Sequence, residues 1–471
     1  MNPLPMFSMW NRDWPVSYQI ELLDRGVPIM PWFPWPDWGN WSDEHDALLE
    51  RAAAENLPIS FIGTQWEMEV LKTTGAERLS PFDPPELWRQ AAKSAFADTF
   101  ERLTQFYLDP PTVIILSNNE AKKERWKTAN FLPDFVRYYG DDRSDEFKRR
   151  VYADRWAVLY REMFDAAKDA LPGPWRGAAK FVGYNAAGYG FVGRWDAWRE
   201  YTLTTHEIVS PDFYIWDGGC APYYLNNWET VLTDNTGYSP QSQVMRVRCQ
   251  WEEDLALENP EFHNELIVWD GNKTWTPDKP MSDHEGAENW AVKLFERTGE
   301  EWHSDRYLGY VRFGLWASRA KVLREFRGSR VPHEPWKPYT EMLVQAVSEV
   351  SKNQILATAW KSGELLFNPR ESHPYRCSLG EWYERHEYDW IVPPCELNPV
   401  QPVLLTDEIR VWALIVAMPT PDDYLLFAYA PTGDFTEVAI QLRPDFVVKV
   451  DVLQCGSFYL CKKRDVIQKI V

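Results

Sequence analysis

The amino-acid sequence predicts a mixed α/β chain: a (β/α)8 TIM barrel over residues 1–335, then a C-terminal antiparallel β-sandwich over residues 336–471. Three observations predict it. Short apolar runs alternate with longer helical patterns through the first 330 residues, the rhythm of parallel βα units. Several of those runs are continuously apolar, as strands covered on both faces are. Beyond Gly328 the pattern changes to strand-like runs spaced about ten residues apart and separated by Pro- and Asp-rich turns. A chain of 471 residues exceeds one compact core, which fits two domains. A doubly wound open sheet is the alternative, but no Gly-rich phosphate loop follows the first strand.

In chain order, the eight strands are expected at Pro5–Trp10, Val27–Trp35, Ile59–Trp66, Thr112–Ser117, Ala178–Tyr184, Asp212–Trp216, Phe262–Trp269 and Gly309–Trp316. Helices are expected between them. Ser42 caps one that runs through Asn56, with Asp43 and Glu44 in its first turn, where acids favour the dipole. Others span Pro84–Tyr107, Arg143–Leu171 and Gln241–Leu257. The C-terminal strands are VWALIVAM (411–418), YLLFAYA (424–430), FTEVAIQL (435–442) and FVVKVDVL (446–453).

Composition narrows the function classes. The 26 Trp exceed what a core alone calls for, because each buried indole N–H needs a partner. About half of them serve to fill a large barrel and its loops. The rest suit a cleft, and a sugar, with apolar C–H faces ringed by hydroxyls, fits stacked aromatics flanked by carboxylates and amides. A formal net charge of −20 argues against nucleic acid and anionic membranes as partners. No stretch approaches 18 consecutive apolar residues, so no transmembrane helix is expected. The opening MNPLPMFSMWNRDWP lacks a basic region followed by an apolar one. A soluble protein is expected, either cytoplasmic or exported with its signal removed, and a homo-oligomer stays open.

No metal or cofactor is expected. The eight His show no HxH or HExxH spacing, the six Cys form no CxxC pair, and neither a GxSxG elbow nor a Walker loop occurs. Cys455 and Cys461 lie close enough in sequence to pair, although reduced core thiols are the blander reading.

In a (β/α)8 barrel, chemistry sits at the C-terminal ends of the strands. The polar residues expected there are Trp10 and Arg12 with Asp13, then Trp66 and Glu67, Asn119 and Glu120, Tyr184 and Asn185, Trp216 and Asp217, Glu265 with Trp269 and Asp270, and Trp316. Carboxylates and Trp thus converge on one rim. The sharpest feature is Asn119-Glu120 after the apolar run TVIIL. A retaining glycosidase needs one protonated carboxyl beside the glycosidic oxygen and an ionised carboxylate roughly 5–5.5 Å away as nucleophile. An Asn next to the acid can hold the sugar 2-hydroxyl.

At this point the chain resembles the clan A TIM-barrel glycoside hydrolases, over roughly residues 1–330. These place an Asn-Glu pair at the end of the fourth strand, with the Glu as acid/base, and a nucleophilic Glu on the seventh strand. The resemblance implies Glu120 as acid/base. On the seventh strand, Pro260 followed by Glu265 has the family's shape, while Asp270 stands nearer the rim and departs from the pattern in being the shorter acid. Glu265, Ile267 and Trp269 share one strand face and Asp270 lies on the other, which favours Glu265. Should Asp217 be the partner instead, the carboxyl separation fits an inverting pair. Other readings stay open: Glu265 as a buried salt-bridge partner of Arg312 or Arg319, Asp217 and Asp270 as turn formers before Gly, and Glu67 as structural. The expected function is hydrolysis of a poly- or oligosaccharide. The alternatives are a lyase or transglycosidase on the same scaffold, or a barrel that binds sugar without catalysis.

Overall fold

The computed structural model describes residues 2–9, 15–34, 41–63, 65–117, 124, 126–186, 208–213, 263–267, 304–326, 337–366, 412–430, 434–443, 445–462 and 466–471. Runs such as VIILS carry apolar side chains on both strand faces and need cover on both. The strands β1 (Met6–Met9), β2 (Trp32–Phe33), β3 (Ile59–Gly63), β4 (Val113–Ser117), β5 (Ala179–Ala186), β6 (Ile208–Phe213), β7 (His263–Ile267) and β8 (Val322–Phe326) supply that pattern. They form an eight-stranded sheet in the order β1-β8-β7-β6-β5-β4-β3-β2, every pairing parallel. The two ends of this order also meet. Phe7 bridges Ile29, just before β2: the Phe7 N–H donates to Pro28 O at 2.8 Å, and the Met30 N–H donates to Phe7 O at 2.8 Å.

Helices return the chain from strand to strand. Among the described residues they are α1 (Val16–Asp24), α2 (Asp43–Ala54), α3 (Gln65–Thr74), α4 (Pro85–Phe106), α5 (Pro133–Tyr139), α6 (Asp145–Asp169), α7 (Ser304–Ser318), α8 (Lys337–Lys352) and α9 (Gln354–Ser362). Local chemistry sets their starts. Ser42 caps α2, its N–H donates to His45 Nδ1 at 3.0 Å, and Asp43, Glu44 and Asp46 crowd the positive end of the dipole. Pro85 opens α4 at the position where a missing N–H costs nothing. Ser144 accepts from the Phe147 N–H at the head of α6.

One face of the parallel sheet packs on this helix layer. Phe181 of β5 stacks on Phe164 of α6 at 3.9 Å, and its edge meets Trp66 of α3 and Phe96 of α4. The other face carries Ser8, Ser60, His263 and Arg324, all buried.

Two expectations from sequence are corrected here. The run Gly309–Trp316, expected as the eighth strand, is helical and lies inside α7; β8 follows it at Val322–Phe326. Residues 337–362, expected within the β-rich part, are the helices α8 and α9. The expected helix Gln241–Leu257 lies outside the described residues.

The C-terminal part is an antiparallel sheet, with β9 (Glu364–Leu365), β10 (Trp412–Ala417), β11 (Asp423–Tyr429), β14 (Ser457–Lys462) and β15 (Val466–Lys469) in the order β15-β14-β11-β10-β9. A hairpin of β12 (Phe435–Arg443) and β13 (Phe446–Val452) stands beside it. Alternation along the strands divides two cores. Leu414, Val416, Leu425, Phe427, Tyr429 and Phe458 join the main core beside α7, whereas Ala413, Ile415, Tyr424, Leu426, Tyr459 and Cys461 face Ile440, Val448, Val450 and Val452 of the hairpin. Burial on both faces explains why these strands read as unbroken apolar runs. A glycine makes the close approach to α7 possible: a side chain at Gly309 would run into the backbone carbonyl of Gln454.

Cys455 and Cys461 are free thiols. Burial pushes the Cys461 thiol up to about 12, so at pH 8 almost none is the reactive thiolate. In native protein treated with a thiol-reactive disulfide at pH 8, peptide mapping is expected to find Cys461 unmodified until denaturant is added. Modification at a rate equal to that of the half-buried Cys455 would place Cys461 outside the hairpin core.

Candidate functional site

Parallel strands aim their C-terminal ends at one rim, and the residues just beyond those ends are the first candidates for function. β1 ends at Met9, directly before Trp10; β4 ends at Ser117, shortly before Asn119-Glu120; β6 is described to Phe213, shortly before Trp216-Asp217; and β7 to Ile267, shortly before Trp269-Asp270. Trp10, Arg12, Asp13, Asn119, Glu120, Trp216, Asp217, Trp269 and Asp270 themselves lie outside the described residues. Three candidates lie within strands. Tyr184 falls in register with Ser210, and Asn185 with Pro211. Glu265 sits in the middle of β7, in register with Asp212 on one side and Arg324 on the other.

Beneath the rim runs a buried polar row. Arg324 of β8 is 0% exposed. Its Nη1 donates to Ser8 Oγ at 3.3 Å and its Nη2 lies 2.9 Å from His263 Nδ1. Arginine has no acceptor and keeps its charge, so His263 Nδ1 accepts this bond and the imidazole carries its own proton on Nε2. Ser8 Oγ donates to Met30 O at 2.9 Å and lies 3.4 Å from Ser60 Oγ, so the row crosses from β8 over β1 to β3.

Other predicted site residues occupy different places. Trp66 does not end a strand; it lies in the first turn of α3, is 0% exposed and stacks on Phe96 at 5.1 Å. Glu67 beside it is also buried and accepts a hydrogen bond from the Tyr160 hydroxyl of α6, tying α3 to the helix layer. Trp316 is in α7, 1% exposed, packed against Trp360 and Phe458. All three are buried in the packing around α3 and α7. Arg312 and Arg319, considered as mates for Glu265, have other work. Arg312 pairs with Glu349 of α8. Arg319 donates to the carbonyls of Ala359, Trp360 and Gly363, capping the C-terminal end of α9.

Ser8, Ser60, His263 and Arg324 were not foreseen as a group. For Ser8 and Ser60 a signal existed, a polar residue interrupting an otherwise apolar strand, in MFSM and ISFIG. With the eighth strand expected at Gly309–Trp316, Arg324 fell outside the sheet.

Among the described residues no group of three or more His, Cys, Asp or Glu is placed to hold a metal ion. No described helix is long and apolar enough to cross a membrane.

No protein-family model matches the chain, and no curated protein matches it. Solved structures of glycoside hydrolases resemble it distantly. A native Bacteroidetes-affiliated GH5 cellulase aligns at 10% identity and a TM-score of 0.35, over 73% of this chain and 77% of that one. A GH36 alpha-galactosidase from Geobacillus stearothermophilus aligns at 10% identity and 0.40, over 100% of this chain, which spans 55% of the galactosidase. An endo-beta-1,4-mannanase from Cellulomonas fimi aligns at 11% identity and 0.32, over 96% and 87% of the two chains. At these values the likeness is one of broad outline.

Proposed function

We propose that this chain is a glycoside hydrolase that cleaves O-glycosidic bonds in a poly- or oligosaccharide by a retaining double displacement. In this reading the eight parallel strands close into a (β/α)8 barrel. Glu120 is the acid/base, Glu265 is the nucleophile with Asp270 as the competing acid, and Asn119 holds the sugar 2-hydroxyl. Trp10, Arg12, Tyr184, Asn185, Trp216, Asp217 and Trp269 line the cleft. Residues 336–471 contain the appended β-rich domain.

The observation that carries the reading is the position of the dipeptide. Asn119-Glu120 follows the end of β4, the fourth strand of an eight-stranded, all-parallel sheet. The hydrogen bonds that join Phe7 to the segment before β2 support closure of that sheet. Chemistry supplies the rest. Glu120 protonates the leaving oxygen as the β7 carboxylate attacks the anomeric carbon; water, deprotonated by Glu120, then releases the glycosyl group.

A panel of neutral polysaccharides with mass analysis of the products tests this. Shortened saccharides of hydrolytic mass are expected. An unsaturated product would assign a lyase, and an absence of turnover across the panel would remove the catalytic reading.

Glu265 and Asp270 separate by rescue. Glu265→Ala is expected to lose about 10²-fold or more in turnover and to regain activity with azide, giving a glycosyl azide of inverted configuration. Near-normal turnover of Glu265→Ala, with Asp270→Ala dead and rescued, transfers the role to Asp270.

A further inference from the structure

We propose that Arg324 is the positioning residue that keeps the carboxylate of Glu265 ionised and oriented for attack. This inference rests on the nucleophile assignment above. Three observations carry it. Arg324 is fully buried in the middle of β8. It is locked from two sides by neutral groups, Ser8 Oγ at 3.3 Å and His263 Nδ1 at 2.9 Å. Its register neighbour across β7 is Glu265, whose own neighbour on β6 is Asp212.

Adjacent strands stand about 4.8 Å apart, so register neighbours are within the range at which one charge moves the ionisation of another. A guanidinium is never deprotonated in a protein, and burying it is costly without an anion beside it. His263 cannot be that anion, and its accepting Nδ1 keeps it neutral while Arg324 holds it. Among the described residues, the carboxylates in phase with Arg324 along the neighbouring strands are Glu265 and Asp212, and Glu265 is the nearer in register. The other titratable or charged groups in that phase are His263 on β7, with Tyr184 and Lys180 on β5; the facing register positions of β1, β2, β3 and β4 are Met6, Ser8, Trp32, Ser60, Ile62, Ile114 and Leu116. The nucleophile of a retaining glycosidase must be ionised before attack. A fixed cation one strand away achieves this while leaving the outer rim free for sugar.

Two measurements on the full chain test the proposal. The first is the pH profile of kcat/KM, whose acid limb reports the ionisation of the free enzyme's nucleophile. Arg324 favours that ionisation and so holds the acid limb at lower pH; Arg324→Met is expected to shift the limb upward by about one to three pH units, while Arg324→Lys, which retains the charge, leaves it near the wild-type position. A limb that stays in place in a folded Arg324→Met protein overturns the proposal. The second measurement does not depend on activity. Thermal midpoints are compared for Arg324→Met, Glu265→Gln and the double variant. Paired groups are expected to couple, with the double variant losing less than the two singles together. Independent losses overturn the pairing. Coupling without a shifted limb makes the pair structural only, which also overturns the proposal. Coupling in a protein that hydrolyses nothing on the panel identifies the catalytic reading as the part that failed.

Discussion

Glu120→Gln is expected to abolish hydrolysis of unactivated substrates while leaving the fold intact. Glutamine keeps the shape of the side chain but has no acidic proton to give to the leaving oxygen. A general acid contributes typically 10²–10⁴-fold, so kcat should fall by about that factor. An aryl glycoside with a good leaving group needs less protonation, and its glycosylation step should suffer far less. The split between the two substrates separates loss of an acid from general damage, and circular dichroism checks the fold. Residual activity on unactivated substrate above about a tenth of wild type would remove Glu120 from the role, since a general acid is typically worth about 10²–10⁴-fold.

The largest expected effect on stability comes from Arg312, which has no part in the proposed chemistry. This residue, in α7, is 3% exposed. It forms a two-pronged pair with Glu349 of α8, with Nε to Glu349 Oε2 at 2.9 Å, and donates through Nη1 to the carbonyls of Cys455 at 2.8 Å and Gly456 at 3.0 Å. One guanidinium therefore ties α7, α8 and the turn between β13 and β14. Gly456 holds that turn with φ +74, and a side chain there would strike the Phe427 ring. Arg312→Met leaves a largely buried carboxylate and two carbonyls without their donor. Breaking one side of a buried pair costs about 3–5 kcal/mol, which in a chain of this size corresponds to a drop of roughly 5 °C in the thermal midpoint. Adding Glu349→Met to Arg312→Met should recover part of the loss, because the stranded charge is gone. A midpoint unchanged in Arg312→Met would mean that the junction relaxes without cost.

Much of the local structure was legible because its causes are local. Ser42 with Asp43 and Glu44, Pro85, and Ser144 announce the starts of α2, α4 and α6 through capping chemistry that acts within one turn. The run VIILS could be read as a buried strand from its composition, and its place as the fourth strand follows from counting. The C-terminal strands β10 to β13 appeared where apolar runs were broken by Pro and Asp.

Residues buried on every side were harder. GYVRFGLW reads as strand because it is apolar on all sides but for Arg312; it is helix because α7 lies between the parallel sheet and the C-terminal sheet, with Tyr307, Phe313 and Trp316 all in the main core. Periodicity alone does not separate a buried helix from a buried strand. Trp66 and Glu67 were read as rim residues because they follow ISFIG closely, yet the chain turns into α3 and directs both into the helix layer. By itself, then, the sequence determined the βα rhythm, the helix caps, the apolar strands and the position of Asn119-Glu120 behind the fourth of them, since each depends on neighbours within a few residues. Only the tertiary structure decided that Arg324, His263, Ser8 and Ser60 share one buried row, and that Arg312 belongs to Glu349. Those contacts join strands and helices far apart in the chain, and parallel register is set by packing between elements rather than by any single segment.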